Sequence, residues 1–426
     1  MAVEPADLAG WLAHIEALHP RGSAGIELGL DRVQEASRRL GQRKWCPVIL
    51  VGGTNGKGST CAMLERILLA AGYRVGLYTS PHLLAYNERI RVDGRPAGDD
   101  SLCKAFARVE QARRDLALTY FEFSTLAAWE VFAAAGPDVL ILEVGLGGRL
   151  DATNIYDPDC AIVTGIDLDH TDFLGRDREA IGLEKAGIFR SGIPAVCGDS
   201  QPPRSLVERA TAVGARLLLL GSDIGYLVQD RQWLYWNGER RGGGLAFPAL
   251  RGEHQLANAT CVLAALDTLQ DRLPLAMQDI RRGLLEVELP GRFQVLPGRP
   301  AIVLDVAQNP QAARILAANL GEMGFYRDTW AVLGMLQDKD IDGVIQALDG
   351  RVTHWLPCGL EGRRAAGADV LAQRLRSAGQ NVVETFSGPG SALDFARGKA
   401  GPDDRILAFG SFLTVAAALR ALGRAA

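Results

Sequence analysis

From residue 47 onwards the chain alternates short, almost wholly apolar runs with longer stretches of helical periodicity. PVILVGG (47–53) reads as a buried strand, 58–71 as a helix and RVGLYTS (74–80) as the next strand. DVLILEVG (138–145), CAIVTGI (160–166), IPAVC (193–197) and RLLLL (216–220) continue the series. Apolar runs separated by helices predict a parallel sheet with helices on both faces. Over 223–241 the pattern changes. IGYLV and QWLYW, separated by Gln229, Asp230 and Arg231, predict a small hairpin, with Gly242, Gly243 and Gly244 as a flexible turn after it. A long helix is expected over 253–269. Pro and Gly punctuate ELPGRFQVLPGRP (288–300), and a fresh strand–helix alternation follows. There AIVLDVA, TWAVLGM, THWLPC, NVVETF and RILAF read as strands. Two domains are expected: 1–288, with a short N-terminal helical segment, and a smaller α/β unit over 289–426.

Composition narrows the function. The 426 residues are 48% hydrophobic and 23% charged, so cores can form without disulfide staples. Lys plus Arg is 46 and Asp plus Glu is 50, and a net charge of −4 argues against a nucleic-acid partner. No apolar run approaches the roughly 20 residues that cross a bilayer, so no membrane partner is expected. The first twenty residues carry acids and a Trp instead of a basic start and an apolar stretch, unlike a signal peptide. Cys46, Cys61, Cys103, Cys160, Cys197, Cys261 and Cys358 are odd in number and widely spaced. That argues against a disulfide framework or zinc knuckle and for a cytoplasmic location.

The strongest chemical signal is GGTNGKGST (52–60), between a buried strand and a helix. Glycines let backbone N–H groups approach phosphate oxygens, and the helix N-terminus adds partial positive charge. Lys57 supplies a mobile charge for the β- and γ-phosphates, and the Ser59 and Thr60 hydroxyls can reach phosphate or metal. The spacing departs from G-x-x-x-x-G-K-[ST], because Gly58 separates Lys57 from Ser59. The plainer alternative is a glycine-rich turn with a surface lysine. The fold expectation becomes a P-loop-type ATPase domain with a mainly parallel sheet plus a C-terminal Rossmann-like domain.

Other candidates sit at strand ends, where ligands gather in such sheets. Ser80, in YTSPHL (78–83), can bind Mg²⁺ or simply make a polar turn with Pro81. Glu143 ends a buried run, where an acid is costly unless paired or metal-bound. It is a hard oxygen donor for Mg²⁺, or an ion-pair partner of Arg149. His170 follows Asp167 and Asp169, which suits a metal ligand, though a lone His is as readily structural. Lys185 reads as a solvated cation or a phosphate partner.

Taken in order, GGTNGKGST, YTSPHL, TYFEFST (119–125), LEVGLGGRLDATN (142–154), LDHTDFLG (168–175), EKAGIFR (184–190), GEHQLANA (252–259), LPGRF (289–293), LDVAQNP (304–310), GMLQDKD (334–340) and FGSFLTVAAAL (409–419) resemble the folate branch of the Mur ligase superfamily. The resemblance is to the bacterial bifunctional dihydrofolate synthase/folylpolyglutamate synthases, over nearly the whole chain. It implies an ATP-dependent ligase adding L-glutamate to dihydropteroate and to the γ-carboxylate of reduced folates through an acyl phosphate. It implies ATP contacts at Thr54, Asn55, Gly56, Lys57, Gly58, Ser59, Asn258, Arg292 and Asp305. One Mg²⁺ falls to Ser80 and Glu143, and a second to the position of His170. Catalytic roles fall to Lys57, His170 and Lys185, the last at a position typically carbamylated in the superfamily, which makes an anionic oxygen ligand of an amine. Pteroate contacts are implied at Thr119, Tyr120, Phe121 and Glu122 and at Leu150, Asp151 and Ala152. Taken singly, Asn258 reads as a buried helix amide, Arg292 as a hinge salt bridge and Phe121 as core. Gln308 stands where the family usually has His, and Gln cannot titrate. Partners are expected to be small molecules, and the protein a monomer. The competing readings are a monofunctional synthase, another Mur-type ligase, a P-loop kinase or NTPase switch, and a non-enzymatic nucleotide-binding scaffold.

Overall fold

The computed structural model describes residues 5–19, 26–230, 232–238, 240–362 and 364–424, with the backbone alone at 240–242. The chain forms two compact units. One comprises the residues up to His82, Tyr86–Ala249 and Gln255–Val287, and the other Leu83–Ala85, Leu250–His254 and the chain from Glu288 on. The expected boundary near 288 does not mark the two short upstream pieces that belong to the second unit.

The first unit is built on β1 (Val48–Gly52), β2 (Val75–Tyr78), β3 (Ile90–Val92), β4 (Arg95–Pro96), β5 (Val139–Glu143), β6 (Cys160–Val163), β7 (Pro194–Cys197) and β8 (Arg216–Leu219). Their order across the sheet is β4-β3-β2-β5-β1-β6-β7-β8. The six strands from β2 to β8 in that order are parallel, and β3 and β4 add an antiparallel edge. Val48, Ile49, Leu50 and Val51 are fully buried, as the apolar run predicts. Because β1 lies between β5 and β6, the strand order reverses at its C-terminal end, the topological switch point where such sheets bind ligands. Two N-terminal helices, Leu8–Leu18 and Asp31–Leu40, pack Trp11, Ile15, Val33 and Ala36 into the same core.

The excursion after β8 differs from the expected hairpin. It is a three-stranded antiparallel sheet of β9 (Ile224–Gln229), β10 (Gln232–Asn237) and β11 (Arg240–Ala246), in the order β11-β10-β9. Arg231, expected in the connection, lies outside the described residues. The glycine run is strand, not turn. The register shifts between Trp233 and Tyr235, and Gly244 sits there at φ +69°. This is a bulge, where a left-handed residue favours glycine, so three glycines can serve a strand. Tyr235 Oη donates to Asp267 at 2.7 Å, tying this sheet to the helix His254–Thr268.

The second unit carries β12 (Gln294–Leu296), β13 (Ala301–Asp305), β14 (Thr329–Leu333), β15 (His354–Pro357) and β16 (Arg405–Phe409), in the order β12-β13-β16-β14-β15. All pairs are parallel except β12 with β13. NVVETF, expected as a strand, makes only isolated bridges, Trp355 with Val382 and Cys358 with Phe386. It runs along the β15 edge without a second neighbour, and Val383 is exposed, so pairing lapses between the bridges. Conversely β12 lies inside the segment read as a boundary.

Candidate active site

The glycine loop follows β1 at the switch point. Gly56 caps the helix Lys57–Ala70 at φ +94°, and a Cβ there would fall 2.6 Å from Asn258 Oδ1. The position therefore needs glycine on both counts. Thr54 locks the loop to the chain after β6. Its N–H donates to the Gly165 carbonyl at 2.8 Å, its hydroxyl donates to the Asp167 carbonyl at 3.0 Å, and it accepts from the Asp167 N–H at 3.1 Å. Lys57 Nζ donates to the carbonyls of Gly53 at 2.9 Å and Thr54 at 3.2 Å. An ammonium has three donors, so one is left for a phosphate oxygen.

Asn258 and Ser59, far apart in sequence, are joined through Gln255, which was not singled out from the sequence. Gln255 Nε2 donates to Ser59 Oγ at 3.3 Å, and its amide oxygen accepts from Asn258 Nδ2 at 2.9 Å. The available signal was spacing, since residues three apart share a helical face. As a buried helix amide Asn258 fits its simpler reading, but it also abuts the phosphate loop.

Glu143 is only 4% exposed, at the end of β5. One oxygen accepts from the Thr79 hydroxyl and from the Ser80 N–H at 3.2 Å. The other has no donor among the described residues. Arg149 is not its partner: that guanidinium pairs with Glu184 at 2.8 Å. An under-satisfied carboxylate on a buried residue, held by the Ser80 N–H, fits a hard cation. Among the described residues no three His, Cys, Asp or Glu side chains cluster as a metal cage. Mg²⁺ keeps waters and substrate phosphates in its shell and needs only one or two protein oxygens.

Lys185 is 3% exposed, on the helix Arg178–Ala186, so the solvated-cation reading fails. Burial pushes its amine down to about 7; the Lys57 ammonium adds to the drop, while Asp169 and Asp151 oppose it. The loop after β5 meets the C-terminal end of this helix. The Arg149 N–H donates to the Glu184 carbonyl at 2.8 Å, and Asn154 Nδ2 donates to the Gly187 carbonyl at 3.1 Å. His170 adopts φ +51° before the short helix Thr171–Leu174, with Nε2 3.9 Å from Asp169 Oδ2. The phosphate loop, Lys185, Asp169 and Asp151 thus share one electrostatic neighbourhood.

The residues expected at pteroate divide. Thr119 and Glu122 form a reciprocal capping box on the helix Tyr120–Ala135, and Glu122 also pairs with Arg32 at 3.1 Å. Phe121 is half-buried, 5.7 Å from the Tyr78 ring, and is not wholly core. Asp151 accepts from the N–H of Leu146 at 2.8 Å and of Thr153 at 3.0 Å, holding its own loop, and burial raises its carboxyl. Leu150 is half-buried and Ala152 buried beside it. In the second unit Asp305 accepts from the Phe293 and Ala307 N–H groups, both at 2.7 Å, and burial raises its carboxyl. Arg292 lies 5.0 Å over the Phe412 ring. Gln308 precedes Asn309, which caps the helix Pro310–Glu322.

A phosphate loop at a switch point, a buried acid, and two α/β units define a nucleotide-dependent ligase of the Mur class. The Mur ligase middle domain model matches residues 51–266, and the Mur ligase glutamate ligase domain model matches 291–412. The chain belongs to the dihydrofolate synthase/folylpolyglutamate synthase family. The Escherichia coli (strain K12) enzyme of that name is 45% identical over 410 residues, covering 96% of this chain and 94% of its own. The structure of E. coli FolC in complex with DHPP and ADP superposes with a TM-score of 0.94 at 43% identity, covering 99% of both chains. A bifunctional folylpolyglutamate synthase/dihydrofolate synthase with Mn, AMPPNP and L-glutamate bound gives 0.90 at 45%, covering 99% of this chain and all of that one.

Proposed function

We infer that this protein is an ATP-dependent acid–amino-acid ligase with two acceptors. It joins L-glutamate to dihydropteroate, giving dihydrofolate, and extends the γ-carboxylate of reduced folates to polyglutamates. The likeness to bifunctional enzymes along almost the entire chain carries this reading. Residues 1–288 take the role of the ATP-binding domain and 289–426 that of the glutamate ligase domain. The protein works as a monomer in a reducing cytoplasm, where its seven free thiols persist.

The acceptor carboxylate attacks the γ-phosphate of ATP, forming an acyl phosphate and ADP. The amine of glutamate then attacks the acyl carbon, and phosphate leaves as the amide forms. Thr54, Asn55, Gly56, Gly58 and Ser59 cradle the triphosphate. The remaining Lys57 donor meets the charge that grows on the transferring group, so catalysis is mainly positional and electrostatic. Ser80 and Glu143 would hold one Mg²⁺, and His170 a second with Lys185 as its carbamate; the ions would neutralise phosphate charge. Asn258, Arg292 and Asp305 contact the nucleotide. Phe121, Tyr120 and Leu150 flank the pterin, while Thr119, Glu122, Asp151 and Ala152 shape its site.

Purified protein should form product with dihydropteroate and, separately, with tetrahydrofolate. ADP release should require both a pterin acceptor and glutamate. Steady ADP release in the absence of glutamate would instead mark a phosphotransferase or NTPase and overturn the reading.

A further inference from the structure

The strand β3 is preceded by a short helical turn, Tyr86–Arg89, carrying an arginine with an uncommon environment. Arg89 Nε donates to His82 Nδ1 at 2.8 Å. Its guanidinium carbon lies 5.7 Å from the centre of the Tyr86 ring and 5.5 Å from that of Tyr120. The two tyrosines meet edge to face at 6.2 Å. Tyr86 is buried, while Arg89 and Tyr120 are half-buried. Among the described residues no carboxylate lies within ion-pair reach of Arg89, and its two terminal nitrogens have no hydrogen-bond acceptor. Neighbouring arginines are paired: Arg91 with Glu65 at 3.1 Å and Arg74 with Asp93 at 3.1 Å.

A guanidinium held through Nε by His82 and lying near two tyrosine rings keeps its two terminal nitrogens, the planar fork, available. That fork matches a carboxylate bidentately, and the hydrogen bond to His82 with the two ring contacts lowers the cost of ordering it. Two residues before His82 comes Ser80, whose N–H meets Glu143. Tyr120 opens the helix placed at the pterin. The fork therefore lies between the segments assigned to the metal and to the pterin.

We propose that Arg89, oriented by His82, Tyr86 and Tyr120, is the subsite for the non-reacting carboxylate of a glutamylated acceptor. This deepens the proposed function and rests on it. The reacting carboxylate is a poor occupant, because a fork binding both its oxygens would blunt its attack on phosphorus. Dihydropteroate has one carboxylate, and it must react. A reduced folate has two on its glutamyl tail, and the α-carboxylate is the spectator. Arg89 thus separates the two acceptors, serving the folate and leaving dihydropteroate largely indifferent.

The test is the ratio of KM values for tetrahydrofolate and dihydropteroate at saturating ATP and glutamate. Arg89→Gln should raise that ratio about 10- to 100-fold, the worth of a charge-assisted bidentate contact. Arg89→Lys, which keeps charge but loses the fork, should raise it less. Thermal melts identify a variant that fails to fold, and then Arg89→Lys alone decides. Dihydrofolate, which also carries a glutamyl tail, should inhibit the variants more weakly than the parent. An unchanged ratio in a folded variant overturns the subsite. A parent protein that ligates glutamate to neither acceptor overturns the underlying function instead, so the two failures are distinct.

Discussion

Lys185 shows how a single residue can change meaning with its surroundings. An amine near 7 is substantially neutral at physiological pH, and only the neutral amine adds CO₂. Carbamate formation should therefore grow as pH rises from about 6 to 8. With ¹³C-bicarbonate, one carbamate resonance is expected in the parent and none in Lys185→Arg, with activity falling when CO₂ is stripped and returning when it is restored. Without CO₂ the same lysine has a stability signature. The unfolded chain keeps this proton to about pH 10, while the folded one sheds it near 7, so the unfolded state binds more protons in between. Stability should rise with pH from 7 to 9 through this residue, and Lys185→Met should flatten that rise in urea melts. Lys57 differs, since its charge is wanted. Lys57→Ala should leave the melting curve near the parent's and lower kcat by about 10²-fold or more. Glutamate incorporation at the parent rate would remove Lys57 from the chemistry.

Among the elements, the helix Tyr120–Ala135 is set by its first turn. Thr119 and Glu122 satisfy each other's backbone donors, so Thr119→Ala should cost about 1 kcal/mol in denaturant unfolding and Thr119→Ser much less. The six parallel strands of the larger sheet were legible: burial on both faces writes a continuous apolar run in five, and the edge strand Arg216–Leu219 keeps the run although only half-buried. The three-stranded sheet was half legible: Ile224–Gln229 and Gln232–Asn237 carry β-formers, but Arg240–Ala246 is a strand only because a bulge accommodates Gly244. NVVETF has strand composition and lacks a second neighbour, a property of the sheet edge and not of those six residues. The site followed the same division. The glycine loop and Glu143 announce themselves locally. The burial of Lys185 does not, because it depends on the loop after β5 folding onto the helix Arg178–Ala186. Gln255 joins the loop to Asn258 only once two distant helices meet.

For the molecule as a whole, the second unit draws Leu83–Ala85 and Leu250–His254 from far upstream. Leu83 and Leu84 pack on the cluster of Leu296, Leu304, Val306 and Val415. A fragment of residues 289–426 alone lacks them and should unfold at lower urea than the corresponding transition in the full chain. Nucleotide is expected to act in the opposite direction. Mg-ATP at about 100 times its Kd should add about 2.7 kcal/mol by mass action, read as a concentration-dependent rise in Tm. An unmoved Tm at that occupancy would mean nucleotide binds folded and unfolded chain alike.

Six of the seven cysteines are buried, and burial leads the rise in each of their thiol pKa values, several to about 12. Cys103, on the helix Asp99–Arg113, is the half-exposed one; burial and then Asp99 and Asp100 raise its thiol as well, so exposure is what sets it apart. The native enzyme thus comes with a single attachment point for a fluorophore already installed. Maleimide at neutral pH should add one label to the folded protein and seven after denaturation, and the tag would sit on the helix Asp99–Arg113.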